Sequence, residues 1–294
     1  MSRSFYAIYL QTGGERQAQS LEELTRFARS TFAALPAHVV IVDNALGQSR
    51  EERRPGRDSV QITLIDGDNS CREFSGMDKG LRWIGDRGGA RDDSVVLLVN
   101  DTWLDDLASG DFFRLNGREA LRLLDSGHIL GQADWFAEPV QIFGIAIAHW
   151  IKSNFVLARF DVLKQLAPLS LPAACDGELF ETDSRELFRR AAPLSPAYRQ
   201  IVTGFLQGTP NPSLWRWPRA ESFNADNIVR FRLKAKAILS EHHLSARAAA
   251  RGFTLTDICR RRFPSKRSRA RFRQLLYYSG AWRLVPRFRN RFGA

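Results

Sequence analysis

The sequence predicts an α/β protein: a mostly parallel central sheet covered by helices, with a helical extension at the C-terminus. Three observations predict it. Short, continuous runs of Val, Ile and Leu recur through the first hundred residues, as in strands buried on both faces. Amphipathic stretches separate several of these runs, the alternation of a layered α/β sheet. Each run stops at Asp, Asn or Gly, so the strands share one kind of polar carboxyl end.

The elements follow in order. Phe5 to Leu10 is the first strand, broken by Gly13-Gly14. A helix is expected over 16–35, because Leu21, Leu24, Phe27, Ala28, Thr31, Phe32 and Leu35 recur at steps of three and four. Pro36 ends it. "HVVIVDNALG" gives a strand over Val39–Val42, and "GQSREERRPGRDS" reads as a surface loop. "VQITLIDGDN" is the third strand, "SGMDKGLRWIGDRGG" a short helix, and "SVVLLVND" the fourth strand. A helix is expected over 118–124 and a strand over 142–148. "HWIKSNFVLARFDVLKQL" then supplies another strand and a short helix. Residues 173–205 read as helical with polar interruptions, "QGTPNPSLWRWPRAESF" as a loop, and 227–240 as a basic helix. No internal repeat is visible.

Composition narrows the function classes. The chain of 294 residues is long enough for a large core. No apolar run approaches the roughly 20 residues of a membrane span, and the N-terminus lacks a secretory pattern. Cys71, Cys175 and Cys259 are too scattered for a zinc or disulfide framework, which points to a reducing compartment. The net charge of +11 is local: residues 260–294 hold twelve Lys/Arg and no Asp/Glu. The remainder has 31 basic residues (43 less those twelve) against 32 acidic ones. A neutral body, 1–255, therefore carries a basic tail, 256–294, and a nucleic-acid-binding body is disfavoured.

Four stretches carry a resemblance: "VVIVDNA", "NSCREFSGMDKGLRWI", "VVLLVNDTWL" and "HWIKSNFVLARFDVL". In this order, over roughly residues 5–250, the chain resembles glycosyltransferases of the GT-A type. It is most similar to the bacterial rhamnan-synthesis (RgpF-like) rhamnosyltransferases of surface polysaccharide assembly. It departs from that pattern at Lys152 and at Trp103-Leu104. The resemblance implies a GT-A-like fold and an inverting transfer of a sugar, rhamnose from dTDP-rhamnose, to a glycan or lipid-linked glycan acceptor. It also implies a cytoplasmic, peripheral place at the inner face of the plasma membrane. The alternative is a glycosyltransferase-like body that has lost its chemistry and serves as a binding or scaffold protein.

Such a transfer must hold base and ribose, neutralise a diphosphate and take the acceptor's proton. Asp43 and Asn44 suit hydrogen bonds to base or ribose, and Asp66, Asp68 and Asn69 suit the same work; plain turns are the alternative. Gly76 and Asp78 are expected near the donor, where small residues permit close approach. Their alternative is a helix start with Ser75 as cap. The resemblance places a divalent cation, Mg²⁺ or Mn²⁺, at Asp101 with Asn100 beside the donor. One carboxylate suffices when water and substrate phosphates supply the other ligands; otherwise Asp101 caps the segment starting at Trp103. Among the acidic residues of "CDGELFETDSREL", the resemblance favours Glu178 or Glu181 as the base, against a solvated face. Trp135, Trp215 and Trp217 are candidates for stacking on sugar rings. In the tail, Arg alternates with Phe, Leu, Tyr and Trp. A helix over 265–278, with one apolar and one cationic face, is expected to lie on an anionic membrane surface; the alternatives are a nucleic-acid patch and helices that pack back on the domain.

Overall fold

The computed structural model describes residues 3–11, 17–46, 51–55, 60–103, 115–183, 185–259 and 266–287. In chain order the first elements are β1 (Phe5–Gln11), α1 (Gln17–Thr31), β2 (Ala37–Asp43), β3 (Glu52–Pro55), β4 (Gln61–Asp66), α2 (Glu73–Asp86) and β5 (Val95–Asn100). There follow α3 (Gly117–Asp125), β6 (His128–Ile142), β7 (Ile145–Arg159), α4 (Phe160–Leu166), α5 (Pro196–Gln207), α6 (Ile228–Ala250), β8 (Thr254–Asp257) and α7 (Lys266–Tyr278). One sheet has the order β3-β4-β2-β1-β5-β7-β6-β8. The pairs β4–β2, β2–β1, β1–β5 and β6–β8 are parallel, while β3–β4 and β5–β7 are antiparallel. The mostly parallel, helix-covered sheet with a helical C-terminal extension is present.

The chain forms two compact units. The first comprises residues 1–133, 151–170 and 247–260, and the second residues 134–150, 171–246 and 261–294. In the first unit, strand alternation divides the core. Phe5, Ala7 and Tyr9 of β1, Val39 and Ile41 of β2, and Val95, Leu97 and Val99 of β5 pack with Leu24, Phe27 and Ala28 of α1 and Leu124 of α3. The even-numbered residues face α2, where a Cβ at Gly76 would meet Leu10 at 2.6 Å and one at Gly80 would meet Ile8 at 2.4 Å. Two-sided burial explains the continuous apolar runs. The second unit has its own core of Phe136, Ile142, Trp150, Leu179, Tyr198, Leu206, Phe231 and Leu239, among others. Asn116 caps α3 and Ser195 caps α5, each accepting from backbone N–H groups of the first turn.

Several expectations are corrected. The loop after β2 contains the short edge strand β3. The strand expected over 142–148 is the end of β6, then a turn at Phe143–Gly144, then the start of the long strand β7. Both turn residues have positive φ, 51° and 76°, as a tight hairpin turn requires. Residues 173–205 are mostly irregular, with one 3-10 turn and one helical turn before α5. The basic helix runs on to Ala250.

Candidate functional site at the carboxyl edge of the sheet

Register decides where the polar strand ends go. Gln11 of β1 pairs with Asp43 of β2, Asp43 pairs with Asp66 of β4, and Leu10 pairs with Asn100 of β5. Asp43 and Asp66 therefore stand level with Gln11 along one edge, and Asn100 stands one residue short of that line, level with Leu10. The chain moves outward from β1 through β2 to β4, then returns to the other side of β1 as β5. That reversal makes β1/β5 a topological switch point, the position where open α/β sheets form a crevice beyond their carboxyl ends. Asp101 follows β5 at this point.

Asp43 is buried and well held. Its Oδ2 accepts from Gln11 Nε2 at 2.9 Å and its Oδ1 from the Ala45 N–H at 2.8 Å. Gly67 N–H donates to the Asp43 carbonyl at 2.7 Å, tying the β2 and β4 ends together. The Asn44 side chain is sheltered, and neither atom of its amide has a partner among the described residues. It fills the space where a Cβ at Gly67 would fall, 1.9 Å from Asn44 Oδ1. Asp66 is paired with Lys79 Nζ at 2.7 Å. Asp68 accepts from the backbone and hydroxyl of Ser70, at 2.9 and 3.0 Å. Partial burial raises its pKa, but hydrogen bonds from Ser70 and Ser75 and the charge of Lys79 together hold it below the usual carboxylate value.

The loop from β4 to α2 is strained. Asn69 and Arg72 both have positive φ, 52° and 49°. Asn69 is exposed, and its carbonyl accepts from the Arg72 N–H at 3.3 Å. Arg72 is the N-cap of α2 yet supplies no side-chain cap, and its Nε has no partner among the described residues. The start of a 14-residue helix therefore meets the carboxyl edge with its donors uncapped by a side chain. Sequence reasoning missed Arg72 and Gln11. Gln11 had a signal, since it too is a polar residue ending an apolar run.

Other expected residues have structural employment. Ser75 Oγ accepts from Cys71 N–H and donates to the Arg72 carbonyl, within the helix start rather than as its cap. Gly76 permits α2 to approach β1. Asp78 is buried and accepts three bonds: from Leu169 N–H at 2.7 Å, Ser170 N–H at 3.0 Å and Ser170 Oγ at 2.5 Å. Its carboxylate braces the segment after α4. Glu73 accepts from Ser153 Oγ at 3.4 Å, which joins two of the four stretches that carried the resemblance.

At the β5 end, Asn100 makes the local turn. Its Oδ1 accepts from Thr102 N–H and Oγ1, at 3.1 and 2.7 Å. Trp103 is fully buried with its indole N–H on Ser20 Oγ at 2.6 Å, which anchors the turn bearing Asp101. Divalent cations of this class want several oxygen ligands. Among the described residues no three of His, Cys, Asp and Glu stand together to hold one. Asp105 and Asp106, the nearby carboxylates, lie outside the described residues. The described side chains thus do not form a metal centre by themselves.

Glu178 and Glu181 belong to the second unit. Glu178 is exposed on a single helical turn. The backbone at Glu181 is engaged: its N–H donates to Leu187 O at 3.2 Å and its carbonyl accepts from Arg232 Nη2 at 2.5 Å. Their neighbour Asp176 pairs with the buried Lys236 at 2.7 Å. The tryptophans have partners of their own. Trp135 stacks on His149 with centroids 5.5 Å apart and receives Lys266 on its ring, while Trp215 lies under Arg273. Trp217 meets Phe231 edge-on.

No family model matches the chain, and no curated protein matches it. Two solved structures are similar to it at a low level. One is a 4-diphosphocytidyl-2C-methyl-D-erythritol synthase, at 12% identity and a TM-score of 0.35, over 58% of this chain and 82% of that one. The other is the mannosyltransferase PcManGT from Pyrobaculum calidifontis, in complex with GDP-Man and Mn²⁺. It shows 13% identity and a TM-score of 0.35, over 98% of this chain and 83% of that one. Likenesses this loose carry no assignment. No described helix is long and apolar enough to cross a membrane.

Proposed function

We propose that the chain is a glycosyltransferase that takes its sugar from a nucleoside diphosphate. The observation that supports this best is the level row of Gln11, Asp43 and Asp66 along the carboxyl edge, with Asn100 one residue back and Asp101 following it at the switch point. A polar row there offers acceptors to ribose hydroxyls and base edges. Asp43 is prepared for that role because Gln11 and Ala45 N–H fix its orientation before a ligand arrives. Asn44, with both amide atoms unpartnered among the described residues, stands next to it. The uncapped start of α2 and the Arg72 guanidinium bring positive potential to the same edge, which suits a diphosphate.

The acceptor proton falls to a carboxylate, Glu178 or Glu181, as the resemblance implies for an inverting transfer. The donor is dTDP-rhamnose and the acceptor a surface glycan or its lipid-linked precursor, on the same ground. Asp101 enters through charge. A carboxylate beside a diphosphate is repulsive unless a cation intervenes. Bound there, Mg²⁺ or Mn²⁺ would offset the leaving group's charge.

The test is a thermal-shift and turnover panel with dTDP-, UDP- and GDP-sugars, with added metal and with EDTA. Stabilisation by one nucleotide class and sugar transfer are expected. Asp101→Asn should cut turnover at least about a hundredfold with an unchanged melting temperature. Arg72→Ala should weaken donor binding independently of EDTA. No nucleotide binding and no turnover would overturn the enzyme reading and leave the scaffold protein.

A further inference from the structure

The packing of the tail helix settles which of its faces turns outward. On α7, Ala270 is buried, Arg273 turns inward over Trp215 at 5.5 Å, and Lys266 lies over Trp135 at 5.6 Å. Gln200 donates to Tyr277 Oη at 3.0 Å on the same packed side. Trp282, in the 3-10 turn Ala281–Leu284 after α7, is buried against Leu214. Large apolar side chains face solvent beside Arg267 and Arg271. Phe272, Leu275 and Tyr278 are 56%, 69% and 66% exposed, and Leu284 is 83% exposed. Spacing of three residues puts the first three on one stripe of the helix. Soluble surfaces rarely gather large apolar side chains this way without a partner.

The surroundings say what the partner is. Arg267, Arg271, Arg283 and Arg287 are exposed around these residues, and no acidic residue follows Asp257 in the chain. Arg271 has one distant acidic neighbour, Glu138 at 3.8 Å, itself 61% exposed. Exposed apolar side chains interleaved with cations match a bilayer interface, where apolar side chains enter the acyl boundary and cations meet anionic headgroups. A nucleic-acid surface would use the cations but leave the aliphatic Leu275 and Leu284 without an apolar partner. We infer that the outward face of α7 and its 3-10 turn is a docking surface for an anionic lipid bilayer, entered by Phe272, Leu275, Tyr278 and Leu284. This holds whether or not the chain transfers sugars. If it does, the acceptor is one presented at a membrane.

The experiment is flotation of the full chain, without any nucleotide sugar, on two kinds of vesicle: phosphatidylcholine alone, and equal parts phosphatidylcholine and phosphatidylglycerol. Binding is expected on the anionic vesicles and at least about tenfold weaker on the neutral ones. The triple variant Phe272→Ser/Leu275→Ser/Leu284→Ser should lose at least about tenfold in partition with its melting temperature unchanged, since these side chains touch little in the folded protein. Arg267→Gln/Arg271→Gln should weaken binding to anionic vesicles alone. Wild-type chain that does not float, a triple variant that floats equally well, or steeply salt-dependent binding to duplex DNA in place of vesicles would each overturn the inference. Failure here leaves the nucleotide-sugar panel unaffected, because that panel contains no lipid.

Discussion

At the scale of single residues, environment sets the chemistry. His242 on α6 is buried among Phe136, Trp150 and Tyr198, and burial drops its pKa to about 3. Its Nδ1 lies 2.6 Å from the Tyr198 hydroxyl, which donates to a neutral ring. The Glu241 carboxylate stands 3.7 Å from Nε2 and accepts from the Trp150 indole at 3.1 Å. A histidine with a depressed pKa binds fewer protons folded than unfolded, so stability falls as pH drops from about 6.5 towards 3. The slope is about 1.4 kcal/mol per pH unit inside that window. Urea unfolding between pH 7 and 4 checks it: His242→Gln should flatten the acid limb, and an unchanged limb would show that another group governs it. Asp68 acts in a different window. Its lowered pKa stabilises the fold above the ordinary carboxylate value, and that contribution is lost only as pH falls through the lowered one. The polar strand ends were legible because each interrupts an apolar run. The bracing contacts of Asp78 were not legible, because its local pattern suggests a helix cap, whereas its partners Leu169 and Ser170 lie about ninety residues away.

At the scale of elements, α2 shows how close packing outweighs propensity. Gly→Ala inside a helix ordinarily stabilises by about 1 kcal/mol. At Gly80 the new methyl would sit 2.4 Å from the Ile8 Cγ2, on a stiff branched side chain in the core. Overpacking of that kind costs about 1–3 kcal/mol, so Gly80→Ala should be net destabilising. Gly76→Ala meets the flexible end of Leu10 and should cost less. Denaturant midpoints rank the two; equal midpoints would mean that Ile8 yields as easily as Leu10. The apolar strands β1, β2 and β5 could be read directly, since burial on both faces leaves a continuous run. β6 could not. Its Gly131, Glu138 and Pro139 read locally as breakers, and the strand exists because long-range pairing with β7 and β8 overrides them. β3 is four residues long and takes its order from β4.

At the scale of the molecule, the net charge is borne by one terminal segment that is structural on one side and open on the other. Trp282→Ala should remove a buried anchor and cost about 3 kcal/mol. Leu284→Ala, two residues on, should change stability by less than about 0.5 kcal/mol. Urea titration of both variants distinguishes a docked tail from a free one, and a silent Trp282→Ala would show the packing against Leu214 to be dispensable. Sequence composition revealed that the tail is basic and aromatic. It could not reveal which face turns outward, because Arg273 and Lys266 find tryptophan rings far away in the chain.

The pairing of Gly67 with Asn44 constrains how this edge can change over time. A methyl at position 67 overlaps the Asn44 amide, so it can enter only if that side chain turns aside. Once Asn44 is shortened, the nearest obstacle left is its Cα at 3.1 Å, a tight contact that a small backbone shift relieves. Substitutions at the two positions are therefore coupled: 67 accepts a side chain more readily once 44 is shortened, so the cost of either change depends on the other.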